Sequence, residues 1–250
     1  MSFATVVENP GDFFACMGVL YCADRFFDNS KGHFKAGRFH LEADCDGNML
    51  SEIVQKVNSA MAASPMKLDD PDDKATPITL RGIGLRLDFW KHFDDRPTIK
   101  LFAGQQTSSG EVGRWLGHLE KFTGAGDLRE FSVTDLASGL DVTTSWNALD
   151  VGFSLNEHKI KTKVYPLVEF FAYVGVQAYG WRRGSSSYYY NVWHVPLPMR
   201  IARAVAAGAL EMPGMTTLVE FEAKKSGQKQ ILKTGREVRY EEYGPGRDGE

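Results

Sequence analysis

The sequence has too few cysteines to staple a fold. Cys16, Cys22 and Cys45 cannot all pair and form no C-x-x-C motif. That excludes a disulfide scaffold and predicts a reducing, cytoplasmic setting. A basic excess is missing as well. A formal net charge of −3 excludes a protein that coats nucleic acid by bulk charge, but not a local site, because fields follow charge distribution. No apolar run approaches the roughly 18 residues of a membrane span. Glu8 near the amino terminus, with no basic stretch before an apolar run, predicts no signal peptide.

Signatures of cofactor chemistry are equally sparse. The six histidines (His33, His40, His92, His118, His158 and His194) are scattered, and Cys16 and Cys22 lie in one apolar helical stretch. This spacing suits core packing better than zinc ligation. Asp69, Asp70, Asp72 and Asp73 stand among prolines, which predicts a solvated, mobile loop rather than a cation site. Gly82-x-Gly84 lacks the third glycine of a dinucleotide fingerprint and falls within an expected strand. Ser185-Ser186-Ser187 has no nucleophile-elbow context. No metal and no cofactor are expected.

What remains is a chain of 250 residues, 43% apolar and 24% charged, long enough to bury a full core. Phe3 to Glu8 reads as a strand stopped by Asn9-Pro10-Gly11, with Asp12 as candidate cap of the helix after it. Phe39, Leu41 and Ala43 alternate as a strand, and Met49 to Met61 shows an amphipathic helical face. Ile83, Leu85, Leu87 and Phe89 predict another strand. Ser108 and Glu111 form a capping-box pattern before Val112, Trp115, Leu116 and Leu119. Val142 to Trp146 reads as a strand. A buried helix is expected from Pro166 to Ala178, an aromatic strand from Tyr188 to Val195, and a small-residue helix from Met199 to Ala207. Thr217 to Ala223 predicts a strand, turned by Ser226-Gly227 into a second near Ile231. Strands and helices mix without a strict βα repeat, so the expected class is α+β.

Two segments echo each other. Phe13-Phe14-Ala15-Cys16-Met17-Gly18-Val19 and Phe170-Phe171-Ala172-Tyr173-Val174-Gly175-Val176 share a pattern, each after a proline. The echo points to one domain over 1–243 built from two related halves, about 1–103 and 129–243. The glycine- and charge-rich tail 244–250 is expected to be disordered.

Charge is distributed unevenly. Residues 42–73 hold eight acids against Lys56 and Lys67, whereas residues 157–203 hold seven Lys/Arg against Glu157 and Glu169. Within that basic region, Arg182 and Arg183 offer forked donors for phosphate. Trp181, Tyr188, Tyr189 and Tyr190 offer flat faces for unstacked bases. Lys159, Lys161 and Lys163 alternate, and on an extended segment they would form one basic row. The opposing assignment makes the tyrosines half-buried strand residues and the cations a solvated face. A second basic group, from Lys224 to Arg239, is nearly cancelled by interspersed glutamates and reads as a surface hairpin.

Four segments, in order, resemble a small CRISPR-associated protein family of subtype I-G (formerly I-U) interference systems. They are Asn9 to Leu20, Lys100 to Gln106, Tyr165 to Gln177, and Trp193-His194-Val195-Pro196-Leu197-Pro198 followed by Ile201-Ala202 and Gly208. In that family the Gly-Val-Gln segment runs on into arginine-phenylalanine-arginine-proline; here it continues Ala178-Tyr179-Gly180-Trp181-Arg182-Arg183. The resemblance implies a ferredoxin-like (RAMP-type) α+β fold. It further implies a non-catalytic subunit of a crRNA-guided effector complex in antiviral defence, contacting guide RNA or target DNA beside other effector subunits. Such complexes leave sequence reading to base pairing and hold the strand by shape and charge. Two alternatives stand beside it. One is a guide-processing ribonuclease using His194 or His158 as base near Arg182; the other is an architectural subunit whose aromatic segment docks a protein.

Overall fold

The computed structural model describes residues 1–91, 98–99, 101, 106–124, 126–145, 161–184, 187–226 and 229–239. Lys159, His158, Trp146, Ser185, Ser186 and the tail 244–250 lie outside them. The architecture is α+β, with helices packed among small antiparallel sheets. No helix among the described residues is long and apolar enough to cross a membrane.

The chain opens with β1 (Ser2–Ala4), α1 (Pro10–Phe26), β2 (Lys31–Lys35), β3 (Arg38–Glu42) and α2 (Met49–Ala63). Asn9 caps α1 by accepting a hydrogen bond from the Gly11 amide at 3.0 Å, and Pro10 fits the first turn because no partner is needed there for an N–H. Asp12 is therefore not the cap. It accepts from the Val6 amide at 3.2 Å instead and pairs with Arg129. The strands β2 and β3 form a hairpin across Ala36-Gly37, both at positive φ (51° and 69°), the geometry of a type I′ connection. Strand β3 lies between β1 and β2, so β1–α1–β2 is a split β-α-β unit.

Strands β4 (Lys67–Leu68), β5 (Ile78–Leu80) and β6 (Leu85–Leu87) make a separate three-stranded sheet. Two sequence expectations change here. The acidic loop is pinned: Asp73 pairs with Lys91 at 2.5 Å, Trp90 Nε1 donates to the Ala75 carbonyl, and Thr76 and Pro77 are buried. The strand expected over Ile83–Phe89 is only Leu85–Leu87. Arg81–Ile83 is a 3-10 turn ending at Gly84 (φ 67°), and a side chain at Gly82 would run into the Ala60 backbone of α2.

Helix α3 (Ser108–Leu119) is capped by Thr107, whose hydroxyl accepts from the Gly110 amide, and not by Ser108. Ser108 donates to the Thr76 carbonyl, and Glu111 binds Gln106 and Arg114. A two-stranded sheet joins β7 (Val133–Asp135) to β8 (Thr162–Val164). Within Val142 to Trp146, expected as a strand, residues 142–144 form a turn held by Asp141, which accepts from Thr143, while its carbonyl accepts from Ser145.

The remainder is α4 (Pro166–Tyr179), β9 (Arg182–Arg183), β10 (Tyr188–Trp193), β11 (Leu197–Pro198), α5 (Met199–Ala206), β12 (Thr216–Phe221), β13 (Ala223–Ser226), β14 (Lys229–Leu232) and β15 (Arg236–Val238). A second four-stranded sheet has the order β15-β12-β10-β9, while β11 joins the first sheet in the order β1-β3-β2-β11. The predicted turn near Ser226 is the β13–β14 hairpin.

Helices α1 and α4, the two echoed segments, cross at the centre. A β-carbon on Gly18 would overlap the Phe171 carbonyl oxygen, and one on Gly175 would overlap the Phe14 carbonyl oxygen. The contact is reciprocal between corresponding residues of the two segments. Two backbones can approach this closely only where neither helix carries a side chain. Around the crossing, Phe13, Phe14, Phe170, Phe171 and Tyr173 are buried with Cys16 and Cys22.

Candidate nucleic-acid interface

Arg182 and Arg183 form the edge strand β9, paired with Tyr189 and Tyr188. Neighbouring residues of a strand point to opposite faces, so the two guanidinium groups diverge. Arg182 turns toward the end of α5. Its guanidinium lies where a side chain on Gly208 would be, and it donates to Asn191 Oδ1 at 3.4 Å. The negative end of a helix dipole favours a cation there. Arg183 is exposed.

Three of the four aromatic residues expected to stack on bases do not offer a face. Tyr190 is fully buried, stacked on Phe13 at 4.0 Å, with its hydroxyl donating to the Val7 carbonyl at 2.7 Å. Tyr188 stacks on Phe221 at 5.4 Å, and Trp181 meets Phe14, Phe89 and Tyr188 edge to face. The reason is that β10 is covered on both sides. Phe13 of α1 packs against Tyr190, and Asn191 Nδ2 donates to the Val205 carbonyl of α5. Tyr189 is half-exposed, but its hydroxyl donates to Glu220 Oε1 at 2.7 Å, beside Ser187 and Arg236. Burial opposes the charge on Glu220, yet these three partners hold its pKa below the usual range.

Lys161 and Lys163 are exposed, as the basic row requires, but belong to the β7–β8 segment and not to the sheet of β9. Lys163 Nζ sits 5.5 Å from the Tyr165 ring, which also carries the Arg129 guanidinium at 4.7 Å. Arg129 pairs with Asp12 at 2.5 Å and Asp141 at 3.0 Å, and Asn9 Nδ2 donates to Asp141. This partly buried cluster ties the start of α1 to residues 127–145. Burial raises the Asp12 pKa despite Arg129. The Arg129 pKa is raised by the two carboxylates although burial opposes it.

His194 accepts or donates at both ring nitrogens, with the Phe34 carbonyl at 3.2 Å and Thr217 Oγ1 at 2.9 Å. Burial pushes the thiol pKa values of Cys16 and Cys22 up. Among the described residues, no group of three or more His, Cys, Asp or Glu is placed to hold a metal.

Sequence reasoning passed over the outer face of the first sheet. In β2 and β3 the positions Gly32, Phe34, Phe39 and Leu41 turn inward, while Lys31, His33, Lys35, Arg38, His40 and Glu42 turn outward. His33 and His40 are cross-strand partners with parallel rings, centroids 4.8 Å apart and 16° between planes. Burial, then the neighbouring His40, lowers the His33 pKa. The signal was present as strict alternation on both sides of Ala36-Gly37.

Compared with known proteins, the chain matches no family model, no curated protein and no solved structure.

Proposed function

We propose that the protein is a non-catalytic subunit of a crRNA-guided CRISPR effector complex of subtype I-G, contacting guide RNA or target DNA. One observation carries this reading: segments that resemble the family interlock. Asn9 to Leu20 and Tyr165 to Gln177 supply the two helices that cross through Gly18 and Gly175. Gln177 accepts hydrogen bonds from the Asp88 and Phe89 amides. The Trp193 to Pro198 segment donates from Trp193 Nε1 to the Gly32 carbonyl and continues into β11 against β2. Residues that resemble a family at separate places in sequence thus share one packing arrangement.

The fold expectation draws support from the split β-α-β unit over β1–α1–β2, a unit that ferredoxin-like folds also contain, although here β11 extends the sheet on the β2 edge. The two halves differ in detail. Strand β3 follows β2 through a two-residue turn, whereas β12 returns to β10 only after α5. In this reading Lys161, Lys163 and Arg183 contact phosphates, while Arg182, Trp181, Tyr188 and Tyr190 hold the scaffold.

The experiment is a salt titration of repeat-derived RNA binding by the wild type and by a Lys161→Glu/Lys163→Glu/Arg183→Glu variant. The variant is expected to bind at least about tenfold more weakly, with a salt slope reduced by about two to three. Equal affinity and slope would remove these three residues from the interface.

A further inference from the structure

We propose that the outward face of the β1-β3-β2-β11 sheet is a platform for a single-stranded polynucleotide, with His33 and His40 stacking against a base and Lys31, Lys35 and Arg38 holding the backbone. This deepens the function proposed above and rests on it.

The Ala36-Gly37 connection fixes the register of β2 against β3, so Lys31 faces Glu42, His33 faces His40 and Lys35 faces Arg38. One side of the pair is sealed by Phe34, Phe39 and Leu41 against the core. The other side carries three cations and one carboxylate, and Lys31, Lys35, Arg38 and Glu42 are all exposed. That charge balance opposes the net charge of the chain and complements a phosphodiester backbone. None of the three cations forms an ion pair with a described residue. Arg38 is nevertheless oriented: its Nε donates to Ser2 Oγ and its Nη2 to the Ser2 carbonyl, both at 2.9 Å, which fixes the guanidinium plane without neutralising it.

The imidazole pair selects among anionic partners. His33 and His40 are half-buried and stack on each other, so an unstacked base would continue that stack on an outer ring face, beside the exposed cations, since every base has a π-face. A duplex keeps its bases stacked inside and would meet this face only through phosphates. An acidic peptide would use the cations and leave the rings idle. His33 Nδ1, covered and without a hydrogen bond from the protein, shows that the ring is not held there by a polar partner. Ribose and deoxyribose strands share the chemistry so far described, and they separate only in the measurement.

The test is fluorescence anisotropy with end-labelled RNA and DNA strands of about 12 nucleotides, and with the duplex of the same sequence. Proteins are the wild type, Lys35→Glu/Arg38→Glu, His33→Ala/His40→Ala and His33→Phe/His40→Tyr, each checked for an unchanged melting transition. Single strands are expected to bind at least about tenfold tighter than the duplex. The charge variant should lose tenfold or more and lower the salt slope by about two. The alanine pair should lose on the order of tenfold with the slope unchanged, and the aromatic pair should restore it. A preference for one of the two strand types identifies RNA or DNA as the occupant. If the wild type binds single strands and the face variants bind equally well, this platform is overturned while the proposed function stands. If the wild type binds no strand, the proposed function falls with it. Equal duplex binding, or loss of an acidic protein partner alone, also overturns the stacking role.

Discussion

Burial sets the chemistry of Glu169. It lies in the first turn of α4, fully buried, and forms no ion pair with a described residue. Desolvation, aided by the nearby Asp141 charge, pushes its pKa up from 4.5 to about 8. The folded protein therefore keeps a proton that the unfolded chain releases above pH 4.5. Stability from this group is fully present below that pH and is lost progressively as pH rises through about 8. Glu169→Gln should flatten that decline and raise the melting temperature at pH 8–9, where the wild type bears a buried charge costing a few kcal/mol. Thermal melts from pH 5 to pH 9 check this; parallel curves for the two proteins would contradict it. The same scale shows why the expected aromatic platform was misread. Tyr188, Tyr189 and Tyr190 are consecutive on a strand, so they cannot share a face, and no composition argument reveals that both faces of β10 are covered.

At the scale of elements, α1 and α4 were legible because their apolar runs are long and each opens at a proline, α4 also ending at Gly180. Asn9 rather than Asp12 caps α1, since the choice depends on the turn geometry of Asn9-Pro10. The split of Ile83–Phe89 into a 3-10 turn and a short strand depends on Gly84 adopting positive φ and on Gly82 touching α2, both tertiary facts. The echo of the two helices was visible in sequence, but its use was not. Gly18 and Gly175 are where each helix admits the backbone of the other. Gly18→Ala and Gly175→Ala should each destabilise by about 3 kcal/mol, the upper end of the range for overpacked cores. Together they should cost less than twice that, because separating the helices for one methyl makes room for the other. Urea denaturation of the two single variants and the double variant measures it. Small, additive losses would mean that the helices do not meet through these residues.

For the whole molecule, the α+β class followed from the order of periodic segments, whereas the division into several small sheets did not. Strands of two to six residues leave little periodicity, and β15 and β11 join sheets far from their sequence neighbours. The basic asymmetry of residues 157–203 was real in sequence, but folding distributes it. Arg182 is drawn to α5, Arg183 stays at an edge, and Lys163 stands on another sheet with Lys161 just before it. Among the described residues, outward cations and flat rings share one face of the first sheet, in a segment whose overall composition is unremarkable. The proposed role against a polynucleotide inside a larger assembly is tested by purifying the tagged protein from its native cell and sequencing the RNA that accompanies it. Short, uniform RNAs with repeat-derived ends are expected, lost with the partner subunits after nuclease treatment. Protein recovered with no enriched RNA, and indifferent to nuclease, would contradict that role.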